Sequence, residues 1–420
     1  MRPAGYAVVF LLGAHAVSAA PVVIRDHDHL ALAPKGERMA NVEASDPGNL
    51  ADSPHSVVVV RDASGKVQAA YDPCRACQYA DTAWSPSGDA LAFIATDRKR
   101  GTATLYAVEK KTPRALAVIK GIANTVRYSP DGARIALLAT IGARKLTGAV
   151  EAGAALVGEI GESNDEQRIG IVSAKGGALR LVSPADTYIY EYDWTPDGKG
   201  FAVTSAKGNG DNNWWIATLD YVDGATGAMR RIAAPKMQIE LPRVSPDGKT
   251  VAFIGGLMSD WQSIGGDIYV VPLAGGEPRD IRPDFAGSFR SLDWRGSRLM
   301  TGAQIGGLYS VALYDPQTGQ LQPPDFFFRP MSVRSQGVNS SVVSSADGKT
   351  VAMIAEDFNH AYEIFAGGTS GLVPITHDNS RLAQNVAVQN VGWTNEGFHL
   401  QGWLVGPKQT QPGTKYPMVV

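Results

Sequence analysis

The chain has 420 residues, of which 44% are hydrophobic and 19% are charged, and its formal net charge is −2. This composition is typical of a globular protein and excludes an intrinsically disordered one. The balanced charge, with no basic patch, disfavours a nucleic-acid partner. A single ordinary core does not accommodate this length, so we expect a repeat architecture or several domains.

Residues 1–20 have the pattern of a secretory signal peptide. Arg2 gives a positive start, residues 6–14 are apolar, and Ser18, Ala19 and Ala20 are small enough for cleavage. An uncleaved anchor is the alternative, but the apolar stretch is short for a membrane span. We expect export to the bacterial periplasm or exterior, with no membrane segment beyond the signal peptide.

The two cysteines, Cys74 and Cys77, have C-x-x-C spacing. A zinc site would need about four ligands, and the sequence has no second cysteine pair. A thioredoxin-like role would need a βαβ context, which the surrounding sequence does not have. In an oxidising compartment the pair is therefore predicted to form a local disulfide.

One turn motif recurs seven times along the chain. It consists of an aromatic or apolar residue followed by Ser-Pro-Asp-Gly, with threonine in place of serine in one copy. Examples are residues 194–198 (WTPDG) and 244–248 (VSPDG). Proline presets the turn, aspartate bonds nearby backbone, and glycine adopts the left-handed conformation that reverses the chain. The seven copies, some of them degenerate, end at Gly36, Gly88, Gly132, Gly198, Gly248, Gly296 and Gly348.

Short apolar strands follow each turn, giving about four strands per repeat of roughly 50 residues. This period predicts an all-β protein: a seven-bladed β-propeller of four-stranded antiparallel blades over residues 22–385. A single blade cannot bury both of its faces, whereas stacked neighbours bury them and protect the strand edges.

Long segments interrupt the repeat on one predicted face. Residues 141–167 and 207–215 lie between second and third strands, and residues 188–193 lie between blades. Elaborated loops on one face of a repeat scaffold usually mark its working surface. The acidic residues of these segments include Glu159, Glu162 and Glu191.

The C-terminal region breaks the repeat. Residues 391–407 (VGWTNEGFHLQGWLVGP) are predicted to form a hairpin, and an apolar strand, YPMVV, ends the chain. With the propeller repeats, this segment resembles the prolyl oligopeptidase family (S9), in its acylaminoacyl-peptidase and dipeptidyl-peptidase branch. The resemblance implies that residues 389–420 begin an α/β-hydrolase domain that is truncated here.

The family resemblance implies a secreted serine peptidase that hydrolyses short peptides. Its partners would be the peptide substrate and its own missing hydrolase domain. The chain has no G-x-S-x-G motif, so no catalytic residue is assigned and the chain alone is predicted to be inactive. In an aminopeptidase-like enzyme, Glu159, Glu162 or Glu191 would bind the substrate ammonium group; each is alternatively a solvated loop carboxylate.

A second hypothesis is a stand-alone periplasmic propeller of the TolB type that binds other proteins. It accounts for the signal peptide and the blades but not for residues 393–420. A propeller lactonase or quinoprotein would need a metal or cofactor cluster that the sequence does not reveal. We therefore expect no cofactor and no metal.

Overall fold

A computed structural model describes residues 23–46, 54–143, 166–208, 213–260, 263–322, 328–335, 339–368, 371–382, 384–411 and 413–419. Antiparallel strands dominate this part of the chain and form seven four-stranded units. The helical segments among the described residues are two short 3-10 turns, Trp214–Ile216 and Ser380–Leu382. None of the described helices is long and apolar enough to span a membrane.

The first four blades follow one another along the chain. Blade 1 contains β1 (Ile24–Leu32), β2 (Arg38–Asp46), β3 (Ser56–Asp62) and β4 (Val67–Tyr71). Blade 2 contains β5 (Gln78–Trp84), β6 (Leu91–Asp97), β7 (Thr102–Val108) and the first half of β8 (Arg114–Tyr128). Blade 3 contains the second half of β8, β9 (Arg134–Ile141), β10 (Gln167–Ser173) and β11 (Arg180–Leu181). Blade 4 contains β12 (Thr187–Trp194), β13 (Gly200–Lys207), β14 (Thr218–Asp223) and β15 (Met229–Ala233).

Three further blades and one hairpin follow. Blade 5 contains β16 (Gln238–Val244), β17 (Thr250–Asp260), β18 (Ser263–Pro272) and β19 (Arg279–Asp280). Blade 6 contains β20 (Ser288–Arg295), β21 (Arg298–Ile305), β22 (Leu308–Tyr314), β23 (Leu321–Gln322) and the short β24 (Phe328–Arg329). Blade 7 contains a split inner strand, β25 (Ser332–Val333) and β26 (Val343–Ser344), then β27 (Thr350–Glu356), β28 (Glu363–Gly368) and β29 (Gly371–Pro374). Strands β30 (Val386–Asn395) and β31 (Phe398–Pro407) form a separate two-stranded sheet.

Seven buried apolar clusters fill the interfaces between neighbouring blades, one cluster for each interface. In blade 5, Phe253 is fully buried and packs in the cluster shared with blade 4. Burying a side chain of this size contributes about 2 kcal/mol. The seventh cluster joins blade 7 to blade 1, so packing closes the ring. The structure confirms the predicted all-β, seven-bladed propeller.

The turn between the first two strands of a blade follows the predicted chemistry. In blade 4 the Thr195 hydroxyl donates to Asp197 Oδ1 at 2.7 Å, and the same carboxylate accepts the Lys199 N–H. Gly198 has a φ of 66°, a left-handed conformation that favours glycine. The same hydroxyl–carboxylate bond recurs in three other turns: Ser129–Asp131, Ser245–Asp247 and Ser345–Asp347.

The aromatic residue before the turn has a separate function in three blades. Its indole N–H donates to a backbone carbonyl on the innermost strand of the preceding blade. These bonds run from Trp84 to Ala31, from Trp194 to Arg127 and from Trp294 to Arg243. They hold the innermost strands at one level, so the turns lie together on one face of the ring.

The ring closes without strand exchange in the described residues. All strands of blade 1 come from the N-terminal side of the chain, and all strands of blade 7 come from residues 332–374. We call the junction between these two blades the seam. In addition to apolar packing, polar bonds cross it, including those from Arg25 N to Asn379 Oδ1 at 2.8 Å and from Arg61 Nη2 to Asp378 Oδ2 at 3.2 Å.

Candidate functional site

One face of the propeller carries the loops between second and third strands; we call it the loop face. Because strands alternate in direction, these loops lie opposite the Ser-Pro-Asp-Gly turns. Residues 144–165 and 209–212, which belong to two of the long loops, lie outside the described residues. Beside the second gap, Trp214 and Trp215 stack with ring centroids 3.8 Å apart, and Trp215 is 46% exposed.

The hairpin of β30 and β31 packs on the loop face. Asn390 Nδ2 donates to the carbonyl of Gly306 at 2.8 Å, and the Trp403 ring lies 5.2 Å from that of Phe358. Gly306 belongs to the loop between the second and third strands of blade 6, and Phe358 to that of blade 7. The chain therefore leaves the propeller on the face that carries the long loops.

Much of the hairpin is uncovered. Its strands pair over ten residues each, yet large apolar side chains on them remain exposed. These are Trp393 at 50%, Phe398 at 70%, Leu400 at 39%, Leu404 at 48% and Val405 at 45%. Trp393, Phe398, Leu400 and Leu404 lie on one face of the hairpin, because alternate residues of a strand share a face. An exposed apolar face of this kind usually marks an interaction site.

An alternating ring of charges lines part of the propeller axis. The residue just before the aromatic position of the turn motif is Arg127, Asp193, Arg243 and Asp293 in blades 3 to 6. Arg127 Nη1 donates to Asp193 Oδ1 at 2.9 Å, and Asp193 Oδ2 accepts the Val244 N–H at 2.8 Å. These side chains join neighbouring inner strands.

The charged residues line a cavity of about 270 Å³, together with Asn339 and Ser340 of blade 7. Between β25 and β26, Asn339 accepts a bond from Arg127 Nη2 at 3.2 Å, and Arg243 Nη2 donates to Ser340 Oγ at 3.4 Å. These bonds link blade 7 to blades 3 and 5 across the axis.

Burial changes the protonation properties of these charged groups. It lowers the pKa of Arg243 to about 10 and raises the pKa of Asp193 above its usual value. Arg127 opposes the shift of Asp193 by favouring its ionised form. Arg243 also favours the ionised form of Asp193, so the two arginines of the ring both oppose the effect of burial on this carboxylate.

Glu191 does not lie on an exposed interblade segment as expected. Residues 188–193 belong to β12, the innermost strand of blade 4, and Glu191 is 5% exposed. Its carboxylate accepts the Leu241 N–H at 3.0 Å and the Thr204 hydroxyl at 2.9 Å. The expected exposure was wrong because β12 bulges here and directs this side chain into the interface with blade 5.

The other predicted residues fall into two groups. Glu159 and Glu162 lie outside the described residues, as does the predicted signal peptide. Cys74 and Cys77 are joined by a disulfide in the loop between blades 1 and 2. The Tyr79 hydroxyl also braces this loop, because it accepts the Cys74 N–H at 2.7 Å and donates to Asp72 at 2.9 Å.

Sequence reasoning missed two polar groups. The axial charges were readable, since aligning the turn motifs places them in one column, next to the aromatic residue. The second group, at the seam, consists of His27, Glu363 and Asp378. No local spacing reveals it, because its members come from the first and last blades and from the segment after the last blade.

The sequence matches no family model and no curated protein. Solved structures share its fold. Acylaminoacyl peptidase of Pyrococcus horikoshii aligns with a TM-score of 0.65 and 12% identity over 94% of this chain and 59% of that one. A puromycin-hydrolyzing peptidase of Mycobacterium tuberculosis aligns with a TM-score of 0.62 and 14% identity over 94% and 61%.

A third structure is similar to the propeller alone. The β-propeller domain of the Trilobed protease from Pyrococcus furiosus, described as having an open velcro topology, aligns with a TM-score of 0.57 and 11% identity. That alignment covers 84% of this chain and 98% of that domain. This chain spans about three fifths of the length of the two complete peptidases. It has the β-propeller fold that forms the propeller part of S9 peptidases, the prolyl oligopeptidase family.

Proposed function

We propose that this chain is the propeller part of a secreted, prolyl oligopeptidase-like serine peptidase that hydrolyses short peptides. The hairpin of β30 and β31 carries the proposal, because it lies outside the seven blades and packs on the loop face. Its sequence resembles the first strands of the family's hydrolase domain. Its exposed apolar side chains suit burial against such a domain.

In the proposed enzyme, an α/β-hydrolase domain covers the loop face and supplies the catalytic triad. Its serine attacks the peptide carbonyl while histidine accepts the proton, and backbone N–H groups stabilise the oxyanion. The propeller excludes large substrates, because Asn339 and the ring of ion pairs narrow the axial passage. Substrates then reach the active site only as short or unfolded peptides.

Recognition of a free substrate amine is assigned to Glu159 and Glu162. Both belong to the long insertion of blade 3, which begins and ends at the loop face. A carboxylate there would make a charge-assisted hydrogen bond to the ammonium group. Glu191 was a third candidate, but its carboxylate is already occupied by Leu241 and Thr204, so it serves as the internal control.

The first experiment tests the chemistry. The 420-residue chain and the complete reading frame are assayed with aminoacyl- and acyl-aminoacyl-nitroanilides. We expect turnover only from a product that contains a downstream G-x-S-x-G motif, and loss of turnover when that serine becomes alanine. Turnover by the 420-residue chain, or a reading frame that ends without a hydrolase domain, contradicts the proposal; the second result favours a binding module.

The second experiment tests the role of the carboxylates in the active full-length protein. The double variant Glu159→Gln/Glu162→Gln should lower kcat/KM for peptides with a free N-terminus by the equivalent of about 1.5–3 kcal/mol. N-blocked peptides should be affected much less. The Glu191→Gln control should change both substrates equally. Equal, negligible effects in the double variant remove both residues from the site.

The third experiment tests export. We expect the mature protein in the periplasm or medium of a bacterial host, with a new N-terminus after Ala19 or Ala20. Deleting residues 2–20 should retain it in the cytoplasm. Intact Met1 on membrane-associated protein would instead indicate an anchor.

A further inference from the structure

The seam contains a group of polar side chains that the proposed peptidase activity does not use. His27 lies on β1 of blade 1, Glu363 begins β28 of blade 7, and Asp378 follows β29. One ligand-type atom from each lies within 4.8 Å of the other two. His27 and Glu363 are buried, whereas Asp378 is at the surface.

The ring of His27 has an unsatisfied atom aimed into this group. His27 is 0% exposed, and its Nε2 has no hydrogen-bond partner. That atom lies 3.5 Å from Asp378 Oδ2 and 4.0 Å from Glu363 Oε2. A zinc ion bound at about 2.0–2.2 Å in tetrahedral geometry separates its ligand atoms by roughly 3.4 Å, close to these spacings.

The surrounding groups orient the three side chains as outer partners of a metal site usually do. The other ring nitrogen of His27 lies 3.2 Å from the side-chain amide of Asn41, whose oxygen also lacks a partner. If the amide is reversed, its oxygen accepts the Nδ1 proton, which leaves the Nε2 lone pair for a cation. Asn379 N–H donates to Glu363 Oε1 at 2.7 Å, and the Thr376 hydroxyl donates to Glu363 Oε2 at 2.5 Å. These bonds fix the carboxylate, and Oε2 has a second lone pair for a cation.

The charge balance also favours a cation. Three carboxylates surround His27, those of Glu43, Glu363 and Asp378, and one arginine, Arg61, contacts two of them. Arg25 and Arg334 act on His27 less directly, and Arg334 is paired with Asp26.

We propose that His27, Glu363 and Asp378 bind one divalent transition-metal ion, for which Zn²⁺ is the probe, and that this ion joins blade 1 to blade 7. The imidazole ligand and the three protein donors fit zinc, whereas calcium takes six to eight oxygens. The exposed side of Asp378 gives access from solvent and room for a water ligand. Since the described strands are not shared across the seam, the ion adds the bridge that strand exchange would otherwise supply.

The test measures metal binding and stability together, without any activity assay. The 420-residue protein is stripped with EDTA and titrated with ZnCl₂, then followed by thermal unfolding and by metal analysis after gel filtration. We expect one zinc per chain and a Tm increase of about 3 °C at a hundredfold excess over Kd. Co²⁺ in place of zinc should give the visible absorption of a tetrahedral nitrogen–oxygen site.

Three variants make the result specific. Asp378→Asn removes the carboxylate ligand but keeps an oxygen that can accept the bond from Arg61, and His27→Gln removes the buried ligand. Both variants should abolish the zinc-dependent Tm shift and the Co²⁺ spectrum. His360→Gln is the matched control, because His360 pairs with Asp357 at 2.9 Å on the surface and should leave both signals unchanged. The proposal is overturned if zinc and EDTA leave the wild-type Tm unchanged, if Asp378→Asn binds zinc as wild type does, or if only Ca²⁺ raises the Tm.

Discussion

At the scale of single residues, burial decides the role of Glu191. A carboxylate in this environment keeps its place by accepting bonds from the Leu241 N–H and the Thr204 hydroxyl. Glu191→Ala leaves both donors without a partner and should lower the free energy of unfolding by about 1–3 kcal/mol. Glu191→Gln keeps an acceptor and should cost less, as chemical denaturation can measure. If the two variants cost the same, the bonds do not hold the strand.

The same residue predicts a pH dependence with a definite sign. Burial raises the pKa of Glu191 above its value in the unfolded chain, so the folded protein binds this proton more tightly. Stability from this group is then present at low pH and is lost as pH rises from about 4.5 through the folded pKa. The measurement is the free energy of unfolding in urea, taken at several pH values for the wild type and for Glu191→Gln. Across that window the wild type should lose stability relative to the variant. If the difference in unfolding free energy between the two proteins does not change with pH, the raised pKa of Glu191 is contradicted.

Removal of the disulfide between Cys74 and Cys77 should reduce the stability of the protein only slightly. The disulfide closes a loop of only a few residues, so it should contribute at most about 2 kcal/mol through the entropy of the unfolded chain. The Tyr79 hydroxyl also holds the loop through Cys74 and Asp72. We expect neither thiol to react with a label before reduction, and a modest Tm decrease in Cys74→Ala/Cys77→Ala. Two reactive thiols in unreduced protein exported to the periplasm contradict this.

Residue-level roles were the hardest to read from the sequence. The C-x-x-C spacing sufficed for Cys74 and Cys77, because the two residues are local. Glu191 appeared to be a loop carboxylate, since the bulge that turns it inward depends on tertiary packing against Leu241. The partners of His27 come from the far end of the propeller, and only the closed ring brings them together.

At the scale of elements, the inner strands are joined by ion pairs as well as by packing. Arg127 and Asp193 connect blades 3 and 4 and are both largely shielded from solvent. A double-mutant cycle with Arg127→Met and Asp193→Asn should give a coupling energy of about 1–3 kcal/mol in equilibrium unfolding. The exposed pair Lys207–Asp186 is the control and should show no measurable coupling. Equal coupling in both pairs would rule out a special role for the axial ring.

Elements were largely predictable, and for a physical reason. The Ser-Pro-Asp-Gly turn determines its own geometry through bonds within five residues, as at Thr195 and Asp197, so each copy marked the same two strands. The outer strands were less clear, because β11 and β19 are only two residues long. The split of the inner strand in blade 7 depends on contacts across the axis, so no local sequence pattern predicts it.

At the scale of the whole molecule, the hairpin predicts self-association. Phe398 and Leu404 are exposed in the 420-residue chain, whose partner domain is proposed to cover them. We expect a concentration-dependent increase in apparent mass by analytical ultracentrifugation, which Phe398→Ser/Leu404→Ser should reduce. Val118→Ser is the control, since Val118 is 65% exposed on an outer strand of blade 2. If only Val118→Ser reduces the self-association, the chains associate through a surface other than the hairpin.

The closed ring without strand exchange has a consequence for the order of folding. Each of the first six blades is complete as soon as its own stretch of chain has been made, but blade 1 keeps one face bare until blade 7 arrives. About 300 residues separate the end of blade 1 from the end of blade 7. At roughly 5–20 residues per second, a ribosome needs roughly 15–60 s to make them, and the face stays uncovered for that time. Leu30, Leu32 and Met39 lie on it. A chaperone that held this face during synthesis would compete directly with the last blade.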